Sequence, residues 1–171
     1  TAITREVVYL EDLKVKVTGG NESFVVDMEN GKIVTILESQ KIYSETGVRE
    51  WAEMMNRIRE AMALPTPEKI EVKKRGKGPL IAGYKTTEYE IFLDGEKSQT
   101  LFVADNLVAP EFEKLEEALL KISFGKSFVR EMITDSLKKL TKGLVLKTVE
   151  EEGGVRYISE MKSLKKMKVP E

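Results

Sequence analysis

The first 44 residues alternate in twos, and no other feature limits the fold of this chain more. In the stretch LKVKV, Leu13, Val15 and Val17 share a face opposite Lys14 and Lys16. In FVVDM, Phe24, Val26 and Met28 do the same, with Asp27 on the other side. Period two marks strands with one buried and one wet face, the usual pattern of antiparallel sheet. Gly19-Gly20-Asn21 and Glu29-Asn30-Gly31 fall between these runs, where tight hairpins need positive φ. The chain therefore opens as a meander.

The period then changes. From Val48 to Met62 the apolar positions are 48, 51, 54, 55, 58 and 62, which is helical spacing, and Pro65 and Pro67 stop it. Strand alternation returns in KIEVKK and in TTEYEIFLDGEKSQTLFVAD, where Asp94-Gly95 marks a hairpin between Tyr89–Leu93 and Thr100–Val103. A second helix is predicted from Pro110, with Glu111 and Glu113 at its positive end and a stripe of Phe112, Leu115, Leu119 and Ile122. Ser127–Lys142 reads as a third, carrying Phe128, Met132, Ile133, Leu137 and Leu140, with Gly143 as its stop. A last hairpin, GLVLKTVE then VRYISEM, turns on Gly153-Gly154. Strands, helix, strands, two helices and strands suggest α+β in a single domain over residues 1–171.

Composition removes most chemistries. There is no cysteine and no histidine, so disulfides, thiolate nucleophiles and the usual neutral-pH general base are all missing. Lys+Arg is 28 against Asp+Glu 29, a balance with no field to gather nucleic acid. No apolar run reaches membrane-spanning length. The chain begins TAITREVVY without an initiator Met, as after removal of a signal peptide or trimming.

Motif-like stretches fail on spacing. Gly125-Lys126-Ser127 resembles the end of a phosphate loop, but Leu120 stands where the earlier glycine belongs. Asp27 to Glu38 has the length of a calcium loop, but Lys32 occupies its glycine position. KKRGKG, residues 73–78, lacks the interleaved aromatics of a nucleic-acid surface and reads as a lysine-protected edge strand running into a turn. KSLKKMK, residues 162–168, reads as a solvated strand or tail. Asn21-Glu22-Ser23 fits a glycosylation triplet that matters only on a eukaryotic secretory route. No catalytic residue, metal site or cofactor is expected.

The helix faces remain. Trp51, Met54, Met55, Ile58 and Met62 form one stripe; Phe112, Leu115, Phe128 and Met132 lie on the other two helices. Burying such side chains is worth roughly 1.5–3 kcal/mol each, so core is their first role. Methionine also adapts to varied apolar shapes, so the same stripes can wall a cavity.

The segment PLIAGYKTTEYEIFLDGEKSQTLFVAD resembles a group of exported bacterial proteins of uncharacterised function, themselves similar to the lipoprotein carrier fold of LolA and LolB. ENGKIVTILESQKIYSE with the following Met-Met helix is similar to that group's opening, and GLVLKTVEEEGGVRYISEMKSLKKMKVP to its closing hairpin. The resemblance implies a strongly curved, unclosed antiparallel β-barrel with about three helices on its concave face. It also implies export to the periplasm or outer cell envelope, and a cavity for acyl chains. The expectation is a non-enzymatic envelope protein binding a lipid or acylated protein, with peripheral membrane association open and no nucleic acid. The cavity would be walled by the nine residues Trp51, Met54, Met55, Ile58, Met62, Phe112, Leu115, Phe128 and Met132. The alternative is a structural or sensory envelope domain that binds a protein partner through a sheet edge or apolar patch.

Overall fold

The computed structural model describes residues 7–11, 13–61, 67–110, 113 and 128–165. These divide into two compact units, one carrying the strands up to residue 47 and the helix after them, the other carrying the remaining elements.

The first unit is a five-stranded antiparallel meander in chain order: β1 (Val7–Glu11), β2 (Lys14–Gly19), β3 (Glu22–Asp27), β4 (Lys32–Leu37) and β5 (Ile42–Gly47). The alternating runs found in the sequence are these strands, and each hairpin sets its register, with Val17 opposite Phe24 and Val25 opposite Val34. β5 runs straight into α1 (Val48–Ala61), whose first amide, on Val48, donates to the Gly31 carbonyl at 2.9 Å. Met28, Val48 and Ala52 are buried here, but Phe24 is 40% exposed although it alternates with the apolar set.

The second unit is also a five-stranded antiparallel meander: β6 (Ile70–Ile81), β7 (Tyr84–Leu93), β8 (Glu96–Ala104), β9 (Leu144–Glu152) and β10 (Val155–Glu160). α2 (Phe128–Lys138) enters between β8 and β9 and lies against β6. Its Ile133 and Leu137 pack on a core of Tyr89, Ile91, Leu101 and Val103. A smaller cluster of Ile81, Ala104 and Leu146 is joined by Phe102 and Met161. Asp94 and Gly95 both take positive φ, the two-residue turn that matches strand twist.

One curved, unclosed barrel with about three helices on its concave face is therefore not the fold. The protein is mainly β, with two separate sheets and, among the described residues, two helices described from end to end, one in each unit. The physical reason is local. Alternation fixes which side chains share a face but not which strands pair. Because β5 ends in a helix, β6 does not pair with it, and the hairpins from β6 onward close a sheet of their own. The helix predicted from Pro110 lies outside the described residues, apart from Pro110 and Glu113, which are both helical.

Two local expectations also change. α2 ends at Lys138, not Lys142, and Gly143 is not its cap. A Cβ at Gly143 would stand 2.3 Å from the Ala104 carbonyl oxygen, so glycine is needed for backbone contact between the ends of β8 and β9. The KKRGKG run does lie on an edge strand, but β6 continues past it through register shifts at Lys74/Gly76 and Lys77/Leu80 instead of turning there.

Candidate functional site

α1 follows helical apolar spacing, but its stripe is wider than the face it buries. Val48 and Ala52, one turn apart, are each 2% exposed. Trp51 is half-buried, whereas Met54 is 49% and Ile58 45% exposed. Residues 51, 54 and 58 are spaced to follow one line along the helix, beside the buried row and not on it. Around that line Arg49, Glu50, Glu53, Arg57 and Glu60 are exposed, so the stripe is bordered by both signs of charge. Chemically this is an apolar strip that can accept another apolar body.

The most organised polar group is in the second unit. Asp105, just past the end of β8, accepts hydroxyl hydrogen bonds from Thr87 at 2.5 Å, Tyr89 at 3.1 Å and Thr141 at 2.5 Å. The Thr141 hydroxyl in turn accepts from the Gly143 amide at 3.0 Å. Burial pushes the Asp105 carboxyl up, but the hydroxyls of Thr141, Thr87 and Tyr89 outweigh it and hold the carboxyl below its usual value. Burial, then the Asp105 carboxylate, raises the Tyr89 phenol above its ordinary value. The Tyr89 side chain lies in the core, so this cluster ties β7, β8 and the entry to β9 together.

On the other face of the same sheet, Glu90 takes Lys97 at 2.6 Å and also Arg75, while Glu71 takes Lys69 and Lys73. Lys73 stands 4.3 Å from the Phe92 ring centroid. Among the described residues no group of three or more acidic, His or Cys side chains could hold a metal ion. No described helix is long and apolar enough to cross a membrane, which says nothing of β-barrels.

A family described as a domain of unknown function, DUF4412, matches residues 14–171. The chain belongs to the DUF4412 family. No curated protein and no solved structure matches it. Within this DUF4412 chain, three of the nine predicted wall residues have described side chains, Trp51, Met54 and Ile58, and all three share the α1 stripe. Met55 is on α1, and Phe128 and Met132 are on α2, but their side chains lie outside the described residues, as do Met62, Phe112 and Leu115 altogether. The two helices belong to different units.

The DUF4412 chain's Asp105 hub is absent from the expectations drawn from sequence. Its only local signal is an acidic residue closing the alternating run TLFVAD, a place where a strand end can turn a carboxylate back on its neighbours. Thr141 lies 36 residues away, and nothing in the sequence links the two.

Proposed function

We propose that this DUF4412 chain is a non-enzymatic protein of the bacterial cell envelope that binds an apolar ligand, a lipid or the acyl chain of a lipoprotein, on the outer stripe of α1. One observation carries the reading: Met54 and Ile58 stay about half exposed on a helix whose Val48 and Ala52 are fully buried. Each ligand methylene taken from water there gains about 0.8 kcal/mol, and a methionine can adjust to chains of differing shape. Export rests on the resemblance to exported bacterial proteins.

The perturbed carboxylates favour binding over proton transfer, because each is held down by its own structural partners. Asp27 is lowered first by Asn30, Glu71 by Lys69 and Lys73, Glu90 by Lys97 and Arg75, and Glu160 by Lys147 and Lys162. Such groups are committed to hydrogen bonds and ion pairs within the fold, not poised acids.

The test is native mass spectrometry on protein purified without detergent, followed by extraction of any bound mass. A co-purifying lipid that is lost in Met54→Asp/Ile58→Asp, with the circular dichroism spectrum kept, is the expected result. A clean apo mass with no uptake of added fatty acid or lipopeptide would remove the reading. A second reading, a protein partner added at a sheet edge, is favoured by the apolar side chains that β10 leaves exposed.

A further inference from the structure

The two edges of the second sheet are built in opposite ways. β6 carries the devices that keep an edge from pairing: exposed Lys73, Lys74, Arg75 and Lys77, two register shifts, and Pro79. β10, at the other end of the strand order, has no lysine, no proline and no register shift, and Arg156 is its single cation. Its Val155, Tyr157 and Ile158 are 51%, 55% and 54% exposed, and among the described residues no strand pairs with its outer side.

We propose that β10 is a homodimer interface: two copies of this chain pair through β10, antiparallel about a two-fold axis at Ile158, and join their second sheets into one. The backbone fixes which residues can take part. The Met161 amide donates to Leu146 on the neighbouring β9 at 2.8 Å. Antiparallel ladders alternate, so Arg156, Ile158 and Glu160 turn their amides and carbonyls outward. Pairing must set these outward residues against each other. Only a centre at Ile158 engages all three from each copy, with Ile158 opposite itself and Arg156 opposite Glu160 of the second copy.

Charge selects the same register. Arg156 already faces Glu151 on β9 at 3.8 Å, and Glu160 faces Lys147 on β9 at 2.8 Å and also takes Lys162 at 2.5 Å. Across the joined strands the row runs Glu151, Arg156, Glu160 of the second copy, Lys147 of the second copy. Signs alternate throughout, and the axis repeats the row on the other side of an Ile158 pair. The exposed edge strands of the first unit do not offer this. β1 (VVYLE) and β5 (IYSETG) each carry one charge, a glutamate, so neither strand holds the two opposite charges that self-pairing would set against each other. The occupant is therefore a second copy, and the surface is independent of the α1 stripe.

The absence of cysteine makes the register testable on the full chain. Ile158→Cys places two thiols directly opposite, at the roughly 5.5 Å Cα separation of a hydrogen-bonded pair, within disulfide reach. Tyr157→Cys puts its two Cα atoms about 8 Å apart, beyond that reach. Sedimentation velocity at about 100 µM is expected to show a dimer for the unmodified chain. Ile158→Lys, exposed in the single chain, should weaken it at least about tenfold with the circular dichroism spectrum unchanged. Oxidation should cross-link Ile158→Cys and not Tyr157→Cys. A monomer at that concentration, a dimer indifferent to Ile158→Lys, or equal cross-linking of both cysteine variants would overturn the proposal.

Discussion

The carboxylate of Asp105 accepts the Thr141 hydroxyl at 2.5 Å, joining two residues 36 apart in the chain. The same carboxylate takes the hydroxyls of Thr87 and Tyr89, and the Tyr89 ring lies wholly inside the core. A half-buried charge at the end of β8 thus sets the position of β7, β8 and the turn into β9 together.

Removing that charge should be costly. Asp105→Ala leaves three hydroxyls without their acceptor, including one attached to a buried ring, and is expected to cost about 2–4 kcal/mol. Tyr89→Phe deletes one bond and leaves the other two, so about 1 kcal/mol is expected. Urea unfolding of both variants, compared at constant m-value, measures the two costs. A smaller loss in Asp105→Ala than in Tyr89→Phe would show that the carboxylate is not the hub.

Asp105 and Glu160 set the acid limb of stability. Lys147 and then Lys162 hold Glu160 down to about 2 from 4.5, and Asp105 lies below its ordinary 3.8. Both folded values are depressed, so their stabilisation is present above the unfolded pKa and is lost as pH falls through the folded one. Urea midpoints should therefore drop between about pH 5 and pH 2, and Glu160→Gln should flatten the lower part of that slope. Tyr89 is shifted the other way, so its contribution holds below its ordinary pKa of 10 and fades as pH rises beyond it.

What the sequence disclosed follows from the range of each physical signal. Val15, Val17 and Val26 alternate within single strands, and Asp94-Gly95 acts within one turn, so strands and hairpins were legible from neighbours alone. The division into two sheets depends on what β5 does after Gly47, a question of pairing between distant strands that alternation does not address. On α1 the spacing identified an apolar helix, yet Val48 and Ile58 look alike in sequence and differ from 2% to 45% in exposure. Asp105 was illegible for a third reason: its meaning comes from Thr87, Tyr89 and Thr141, which only the fold brings to it.

Gly143 offers a sharper mutational test than its place in the sequence suggests. A helix-capping glycine tolerates alanine at roughly 1 kcal/mol. Here a methyl group would meet the Ala104 carbonyl oxygen at 2.3 Å and the Asp105 Cα at 2.6 Å, both backbone atoms with no rotamer to escape into. Gly143→Ala must push β8 from β9 and disturb the Thr141 turn, so a cost of about 2–4 kcal/mol is expected. A thermal midpoint within a degree or two of the unmodified protein would show that the strands separate freely there.

The two sides of α1 should separate under mutation as cleanly as they do in exposure. Val48→Ala removes buried carbon beside β5 and should cost about 1–3 kcal/mol. Ile58→Ser and Met54→Ser act on half-exposed side chains and should stay within about 0.5–1 kcal/mol. If the stripe binds apolar ligands, the exposed pair should govern uptake of a fluorescent fatty acid, while Val48→Ala should change it only as far as the protein unfolds. Equal destabilisation by Val48→Ala and Ile58→Ser would mean that Ile58 is packed in solution, and the stripe would then be core along its whole width.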